Sequence, residues 1–572
     1  MSETRPIIRG TIGCVTSSNY MATTAGFMTL LAGGNAFDAA VATGLALHVV
    51  EPHMSGIGGE APAIIYSSKQ GRAYAVSGQG YAPGAATLDF FRDQEINLLP
   101  GDGFLPATVP AALDGWVTLL TKFGTKSLAE VMRPALQLAE EGFPVYPTLA
   151  QNIEVNAKRF ALQWPTTGHI YLPNGRPPEV GQKLVQRDLA RALRGLAQAE
   201  QRARGGRRAG LEAARDYFYS GPIAKQIIKF TSDNAIRDST GKAHTGLLDL
   251  DDLAEFHTRL EEPVSTLYRG FRVHKCASWS QGPVFLQQLR LLEGHDLRRL
   301  GHNSASYIHL LTEVSKLAFA DRERYYGDPL FTRVPIRKLL SRSYARMRGK
   351  LIKRKRASPD LRAGGISGSG IGKPLGYQGD TTHLDVADSE GNVVSATPSS
   401  GWIWASPVIE GLGFALGTRG QTFSLAEGHP NVVAPHKRPR TTLSPTLVTL
   451  HGKPFMAFGT PGGDQQDQWT LQFFLNVVEF GMDLQSAIDA PTFHNTHFPS
   501  SFYPRKAEPG MVHVEGRIPP TVRRELTRLG HRIVAEGDWV NGRVTAIRFN
   551  RPNGTIEAAA SSRYQMAYAM GR

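Results

Sequence analysis

The chain has 572 residues, 41% hydrophobic and 20% charged, the make-up of a globular protein with three or four domains or one large body. No stretch approaches about eighteen uninterrupted apolar residues, so no membrane span is expected, and Cys14 and Cys276 are too few for a disulfide framework or a metal site. The net charge of +14 would suit nucleic acid if it were spread among aromatics, but it gathers in two runs that are poor in them.

Met1 to Arg5 lacks a basic segment followed by an apolar one, so a cytoplasmic protein is expected, with both cysteines as small buried residues in a reducing compartment. Cys14 to Ser18 reads as a strand, and a helix follows from Tyr20 to Ala32, stopped by Gly33-Gly34. Asn35 is a good N-cap with Asp38 three residues on, opening a helix of small residues that ends before Pro52. Ser55-Gly56-Ile57-Gly58-Gly59 is a glycine loop with no clear helix after it, hence a weak phosphate cradle. His53 and Met54 just before it are candidates for pocket or core. Ala63 to Tyr66 pairs with Ala73 to Val76 as a hairpin, and Pro110 to Gly142 is helical, with a capping box at Ser127-Leu128-Ala129-Glu130.

Arg191 to Arg215 reads as a helical insertion broken at Gly205-Gly206, and it carries the basic cluster Arg202, Arg204, Arg207 and Arg208. Leu247 to Phe256 starts a helix, Tyr268 to Val273 reads as a strand, and a long helix containing Ile308, Leu311, Val314 and Phe319 ends near Gly327. From Arg337 to Arg356 there are ten basic residues and no acidic one, with Tyr344 the lone aromatic, so solvated faces are expected there. Gly364 to Gly370 is linker chemistry, within a connector at about 337–380.

After it the chain turns strand-rich. Thr382 to Asp388 alternates as a strand, Gly391-Asn392 turns it back into Val393 to Thr397, and Thr446 to Leu450 pairs with Phe455 to Phe458. Pro461-Gly462-Gly463 leads into a helix with Trp469 and Phe474, and Arg543 to Phe549 pairs with Thr555 to Ala560. Helices before and strands on both sides predict an α+β body of two stacked sheets between helical layers.

A strand that opens on Thr381-Thr382 directly after a flexible stretch suggests a nucleophile meant to become a chain terminus. A threonine hydroxyl needs a neighbouring base, and the most economical one is the residue's own α-amine, freed by cutting Asp380-Thr381. With a free pKa near ~8, that amine is far more often neutral at physiological pH than a lysine amine.

Several blocks, in order, resemble the γ-glutamyltransferase family of N-terminal-nucleophile hydrolases over nearly the full length: Gly33 to Val41, Gly379 to Gly391, Lys437-Arg438-Pro439, Leu443-Ser444-Pro445-Thr446, Gly459 to Gly463 and Ala487 to Pro491. The resemblance implies an αββα sandwich made as a precursor that cuts itself into a large subunit, 1–380, and a small subunit, 381–572, intertwined in one body. Thr381 matches the family nucleophile, and Ser399 stands where the family keeps a second hydroxyl. Gly462 and Gly463 match the oxyanion hole, which suits backbone N–H groups entering a helix. Thr441 and Thr442 stand where two serines hold the donor's α-carboxylate.

Other positions depart from the pattern. Gln79 replaces the arginine that pairs with that carboxylate, Gly401 replaces an asparagine, and Arg419 and Thr422 replace the pair that holds an α-ammonium. A cation there repels an ammonium and suits a carboxylate, bidentately. Arg419-Gly420 followed by Phe423-Ser424-Leu425 is similar to the oxamate amidohydrolase-like branch, whose members act on acids without an α-amino group.

The expectation is therefore a self-processing amidohydrolase or acyltransferase acting on a small amide, γ-glutamyl-like or otherwise carboxylate-bearing, with water or an amine as acceptor. A glutaryl-type acylase is an alternative. No metal or organic cofactor, nucleic acid or membrane is called for, and a homo-oligomer is compatible with this reading. The rivals are an uncleaved homologue acting as a scaffold and a nucleic-acid binder using the 337–356 run. His383, His436 and His494 lack metal-ligand spacing and are expected to be structural. Trp402 and Trp404 are candidates for an acyl pocket wall or for packing.

Overall fold

The computed structural model describes residues 3–365, 380–563 and 566–572, so part of the expected connector, including Gly379, lies outside the described residues. Two seven-stranded antiparallel sheets lie face to face. In the first the order is Tyr568–Gly571, Gly13–Ser17, Leu384–Asp388, Val393–Ala396, Ala63–Ser67, Arg72–Val76 and Leu260–Glu261. In the second it is Ile8–Gly10, Thr555–Ala560, Thr545–Asn550, Lys453–Gly459, Thr446–Leu450, Phe271–Lys275 and Val264–Tyr268.

Strand alternation builds the layers. Ile64, Ala387 and Val393 of the first sheet meet Leu447, Ala457 and Ile547 of the second in a layer between the sheets. Their neighbours Ile65, Val386 and Val394 turn outward onto helices Tyr20–Leu31 and Ala36–Val50. On the other side Val448 and Ala546 face Gly282–Leu292, Ala305–Tyr325 and Gln466–Val478. This is the four-layer αββα sandwich of the N-terminal-nucleophile hydrolases. Cys14 and Cys276 are buried free thiols in the inter-sheet layer, where burial pushes Cys14 up to about 12. Residues on both sides of position 381 contribute strands to both sheets.

Local signals act as expected at Asn35 and Ser127, each of which caps its helix in a reciprocal box. Three expectations change. Tyr268 to Val273 is not one strand but the tip of a hairpin: Arg269 (φ 50°) and Gly270 (φ 88°) make a left-handed two-residue turn, so Tyr268 pairs with Phe271. The 191–215 stretch is no insertion, because helices Arg187–Arg202 and Gly206–Tyr219 bury Leu193, Leu196, Leu211 and Phe218 in the main core. Leu247 to Phe256 yields only the short helix Leu250–Ala254. In the 337–356 run, Arg348 is buried on Asp321 and Arg342 pairs with Glu293, while the other basic side chains are exposed.

Candidate active site

Thr381 lies just ahead of strand Leu384–Asp388, held by an antiparallel bridge to Ser399 and by the Thr382 N–H donating to the Pro398 carbonyl at 3.0 Å. Ser399 is clamped on its other side by Glu60 through two backbone bonds, of 2.9 and 3.0 Å. The glycine loop makes this clamp possible. A Cβ on Gly59 would lie 2.3 Å from the Ser399 carbonyl oxygen. The loop thus backs the Ser399 segment rather than cradling phosphate. Ser400 (φ 66°) and Gly401 (φ 68°) are both left-handed, and Gly401 packs where a Cβ would sit 3.1 Å from the Gly59 nitrogen.

Side chains converge on the Asp380-Thr381 peptide. The Thr381 hydroxyl is 3.1 Å from that of Ser399, and the Ser399 hydroxyl donates to the Asp380 carbonyl oxygen at 2.9 Å. Arg419 Nη2 donates to the Ser399 oxygen at 2.9 Å, while Arg419 Nε binds Glu60 Oε1. Gln79 Nε2 donates to Glu60 Oε2 at 3.3 Å. Arg419, wholly buried, lies against the rings of Trp402 and Phe502, at 5.3 and 5.4 Å from their centres. Asp380 Oδ1 accepts from the Thr381 N–H at 2.9 Å and from Arg543 at 2.7 Å.

Gly462 (φ 124°) and Gly463 (φ 54°) turn the chain into helix Gln466–Val478, and a Cβ on Gly462 would meet the Trp469 ring at 2.2 Å. Both glycines line a cavity of about 910 Å³ together with Asp380, Phe502, His494 and Arg543. Thr441 is tied to the same turn: its carbonyl accepts from the Gln281 N–H at 2.9 Å, and the Gln281 side chain donates to the Gly463 and Asp464 carbonyls at 3.5 and 3.4 Å. The Thr442 hydroxyl is buried without a partner among the described residues.

The structure thus brings Thr381, Ser399, Asp380, Arg419 and Gln79 into one network. It does not do the same for Thr422, whose hydroxyl is spent on the Arg419 carbonyl at 2.9 Å, closing its own turn. The expected bidentate fork of Arg419 is also unavailable. Nε and Nη2 are engaged inside the protein, and Nη1 alone has no partner among the described residues. Its charge is offset by Glu60, so repulsion of an ammonium is weaker than the bare sequence implies.

Glu60 was missed by sequence reasoning; the available signal was a carboxylate ending a glycine loop. Arg543, at the edge of a hairpin, gave none. Trp402 and Trp404 stack 4.9 Å apart, their indole N–H groups donating to the Met54 and His53 carbonyls at 2.8 and 3.0 Å, so they pack as a wall. His383 is structural, bonded to Thr397 and Asp385 at 2.9 and 3.2 Å, and His436 pairs with Asp252. His494 is buried in a small three-stranded sheet of Phe493–Asn495, Met511–Val514 and Arg532–Ala535, where it stacks on His513 at 4.7 Å, and its ring nitrogen lies within 4.8 Å of ligand atoms of His513 and Glu536. Chain spacing cannot reveal that group, because its members come from three separate segments. Burial pushes His494 down to about 3.

Comparison with known proteins agrees with this geometry. The family model described as Gamma-glutamyltranspeptidase matches residues 22–571. The Acylase ACY 1 proenzyme of Pseudomonas sp. (strain SE83) is 35% identical over 566 residues, covering 96% of this chain and 92% of that protein. The solved structure of LmbA2991HD superposes with a TM-score of 0.94 at 42% identity, with full coverage of both chains. The cephalosporin acylase of Bacillus halodurans gives a TM-score of 0.86 at 30% identity, covering 100% of this chain and 98% of that one. The chain therefore belongs to the γ-glutamyltranspeptidase family of N-terminal-nucleophile hydrolases, enzymes of amide hydrolysis and acyl transfer.

Proposed function

We propose that this protein is a self-processing acylase whose nucleophile is Thr381. The observation that carries this reading is the contact set around one peptide: a hydroxyl nucleophile, a second hydroxyl donating to the carbonyl it would attack, and an arginine behind that donor. In self-cleavage the Thr381 oxygen adds to the Asp380 carbonyl carbon, and the Ser399 hydroxyl steadies the oxyanion. The C–N bond breaks, and water hydrolyses the resulting ester. In turnover the freed α-amine takes the hydroxyl proton as Thr381 attacks a substrate amide. Gly462 and Gly463 offer backbone N–H groups to the oxyanion, a contribution of about 3–4 kcal/mol for one such donor. Water or an amine then releases the acyl group.

The acyl group we infer carries a carboxylate and no α-ammonium. An ammonium needs acceptors, yet both Glu60 oxygens are engaged, by Arg419 and by Gln79. Beside Glu60 the groups unpartnered among the described residues are a cationic donor, Arg419 Nη1, and a neutral acceptor, the Gln79 amide oxygen, a pair better matched to a carboxylate than to an ammonium. The relatives include both acylases and glutathione hydrolases, so the choice rests on these contacts.

Intact mass of purified protein tests the nucleophile: two fragments split before Thr381 are expected, and a single chain for Thr381→Ala. Product release from a glutaryl amide, oxamate and a γ-glutamyl anilide tests the substrate class. Fast turnover of the γ-glutamyl compound alone overturns the argument from Arg419, and a competent enzyme with an uncut backbone overturns the whole reading.

A further inference from the structure

Self-cleavage, on the reading above, needs a proton acceptor that later turnover does not. Before cleavage the Thr381 nitrogen is an amide whose lone pair is delocalised into the peptide bond, so it cannot act as a base. Its N–H is already committed to Asp380 Oδ1. Ser399 cannot take the proton either, since its own hydrogen is committed to the Asp380 carbonyl and its oxygen faces Arg419 Nη2. The Glu60 oxygens are held by Arg419 and Gln79, and Asp380 Oδ1 is held by Arg543 as well as by Thr381.

The remaining face of Thr381 opens on a second, smaller cavity of about 20 Å³, lined also by Ser18, Glu51, Met54, Tyr146 and Arg543. A volume above roughly 10–15 Å³ is enough for one water molecule. Among the described residues of that lining, Glu51 is the only carboxylate. It sits at the C-terminal end of helix Ala36–Val50, 4% exposed, and its Oε2 has no partner among the described residues. The Tyr146 hydroxyl is no competitor, because it donates to the Val50 carbonyl at 2.9 Å. Arg563 is bound to Glu515 and to the Ile488 and Ala490 carbonyls.

We propose that Glu51 is the proton acceptor and donor of the self-cleavage step, working through one water in this cavity. As the Thr381 oxygen bonds to the Asp380 carbonyl carbon, its proton passes through the water to the Glu51 carboxylate. When the C–N bond breaks, the same proton returns to the Thr381 nitrogen, leaving an Asp380–Thr381 ester and a free amine. A second water hydrolyses the ester to the Asp380 carboxyl and the Thr381 hydroxyl, so atoms and protons balance with no further reactant. Burial, helped by the charge of Asp380, pushes Glu51 up to about 7 against the pull of the Thr382 hydroxyl, Arg543 and the Asn19 amide, so both of its forms are populated near neutral pH.

The test follows fragment appearance by intact mass in freshly purified full-length protein between pH 5 and 9, for the wild type, Glu51→Gln and Glu51→Asp. We expect the wild-type rate to rise with pH through a midpoint near 7, Glu51→Gln to be about 100-fold slower or more and flat with pH, and Glu51→Asp to fall between them. Cleavage of Glu51→Gln within threefold of wild type, or a slower rate with an unchanged midpoint, overturns the proposal. Should Glu51→Gln fail to fold, the wild-type profile decides, a rate independent of pH or with a midpoint near 4 being the overturning result. A wild type that never splits before Thr381 sinks the nucleophile reading itself, whereas equal splitting of wild type and variant sinks only the role of Glu51.

Discussion

Replacing Arg419 by methionine isolates the energetic core of the site. Glu60 and Arg419 have side chains only 1% and 0% exposed, so the variant leaves a carboxylate buried without its counter-ion. Such broken pairs typically cost about 3–5 kcal/mol. The carboxylate has one escape, which is to take up a proton. For a group with an ordinary pKa of about 4.3, holding a proton at pH 7 costs 1.36 × 2.7, or about 3.7 kcal/mol. The two routes agree, and the second one adds a pH signature. In the variant Glu60 is protonated when folded and ionised when unfolded, a raised folded pKa, so the deficit shrinks as pH falls, by about 1.4 kcal/mol per unit down to the ordinary carboxylate range. Urea unfolding at pH 5 and pH 7, in an uncleaved Thr381→Ala background, measures both quantities. The double variant Arg419→Met/Glu60→Gln should recover most of the loss. A deficit below about 1 kcal/mol at pH 7, or one independent of pH, refutes the buried-pair reasoning.

Further outcomes are expected at other positions. Ser399→Ala removes the donor to the Asp380 carbonyl and should slow self-cleavage about 10²–10³-fold by intact mass, while Ser399→Thr, which keeps the hydroxyl, should retain most of the rate. Gly462→Ala puts a methyl 2.2 Å from the Trp469 ring at φ 124°, so the turn must move; kcat should fall at least about 10-fold with KM changed less, and unchanged kcat would remove Gly462 from the oxyanion turn. Lys275→Met strands Asp467, its 3.0 Å partner in the core, and should destabilise the fold by about 3–5 kcal/mol in denaturant. His494, held near 3 by burial, is neutral when folded and protonates on unfolding below about 6.5, so its stabilising share is lost as pH falls from there; His494→Gln should flatten the decline of Tm between pH 6.5 and 4.

The sandwich, the glycine turn and the position of Thr381 ahead of its strand were legible because each rests on a local signal: alternation after the connector, Gly-Gly ahead of a helix, and Thr-Thr opening a strand. Glu60 and Glu51 were not. Their importance comes from partners 359 residues away in one case and from a shared cavity in the other, and neither leaves a mark on neighbouring sequence. Arg419 was half legible, since its identity pointed to an acid but its engagement by Glu60 and Ser399 shows only in three dimensions. Terminal strands Ile8–Gly10 and Tyr568–Gly571 escaped notice because an edge strand of three or four residues has too few positions to display a period.

Strands from before and after position 381 alternate as neighbours, Gly13–Ser17 beside Leu384–Asp388 and Phe271–Lys275 beside Thr446–Leu450. A cut there yields two polypeptides but no pair of separable modules. Each fragment alone would expose ladder edges and half of every hydrophobic layer, so the halves should neither part on dilution nor trade places between molecules. Melting one must melt the other, and a protein cut there should show a single thermal transition despite having four chain ends.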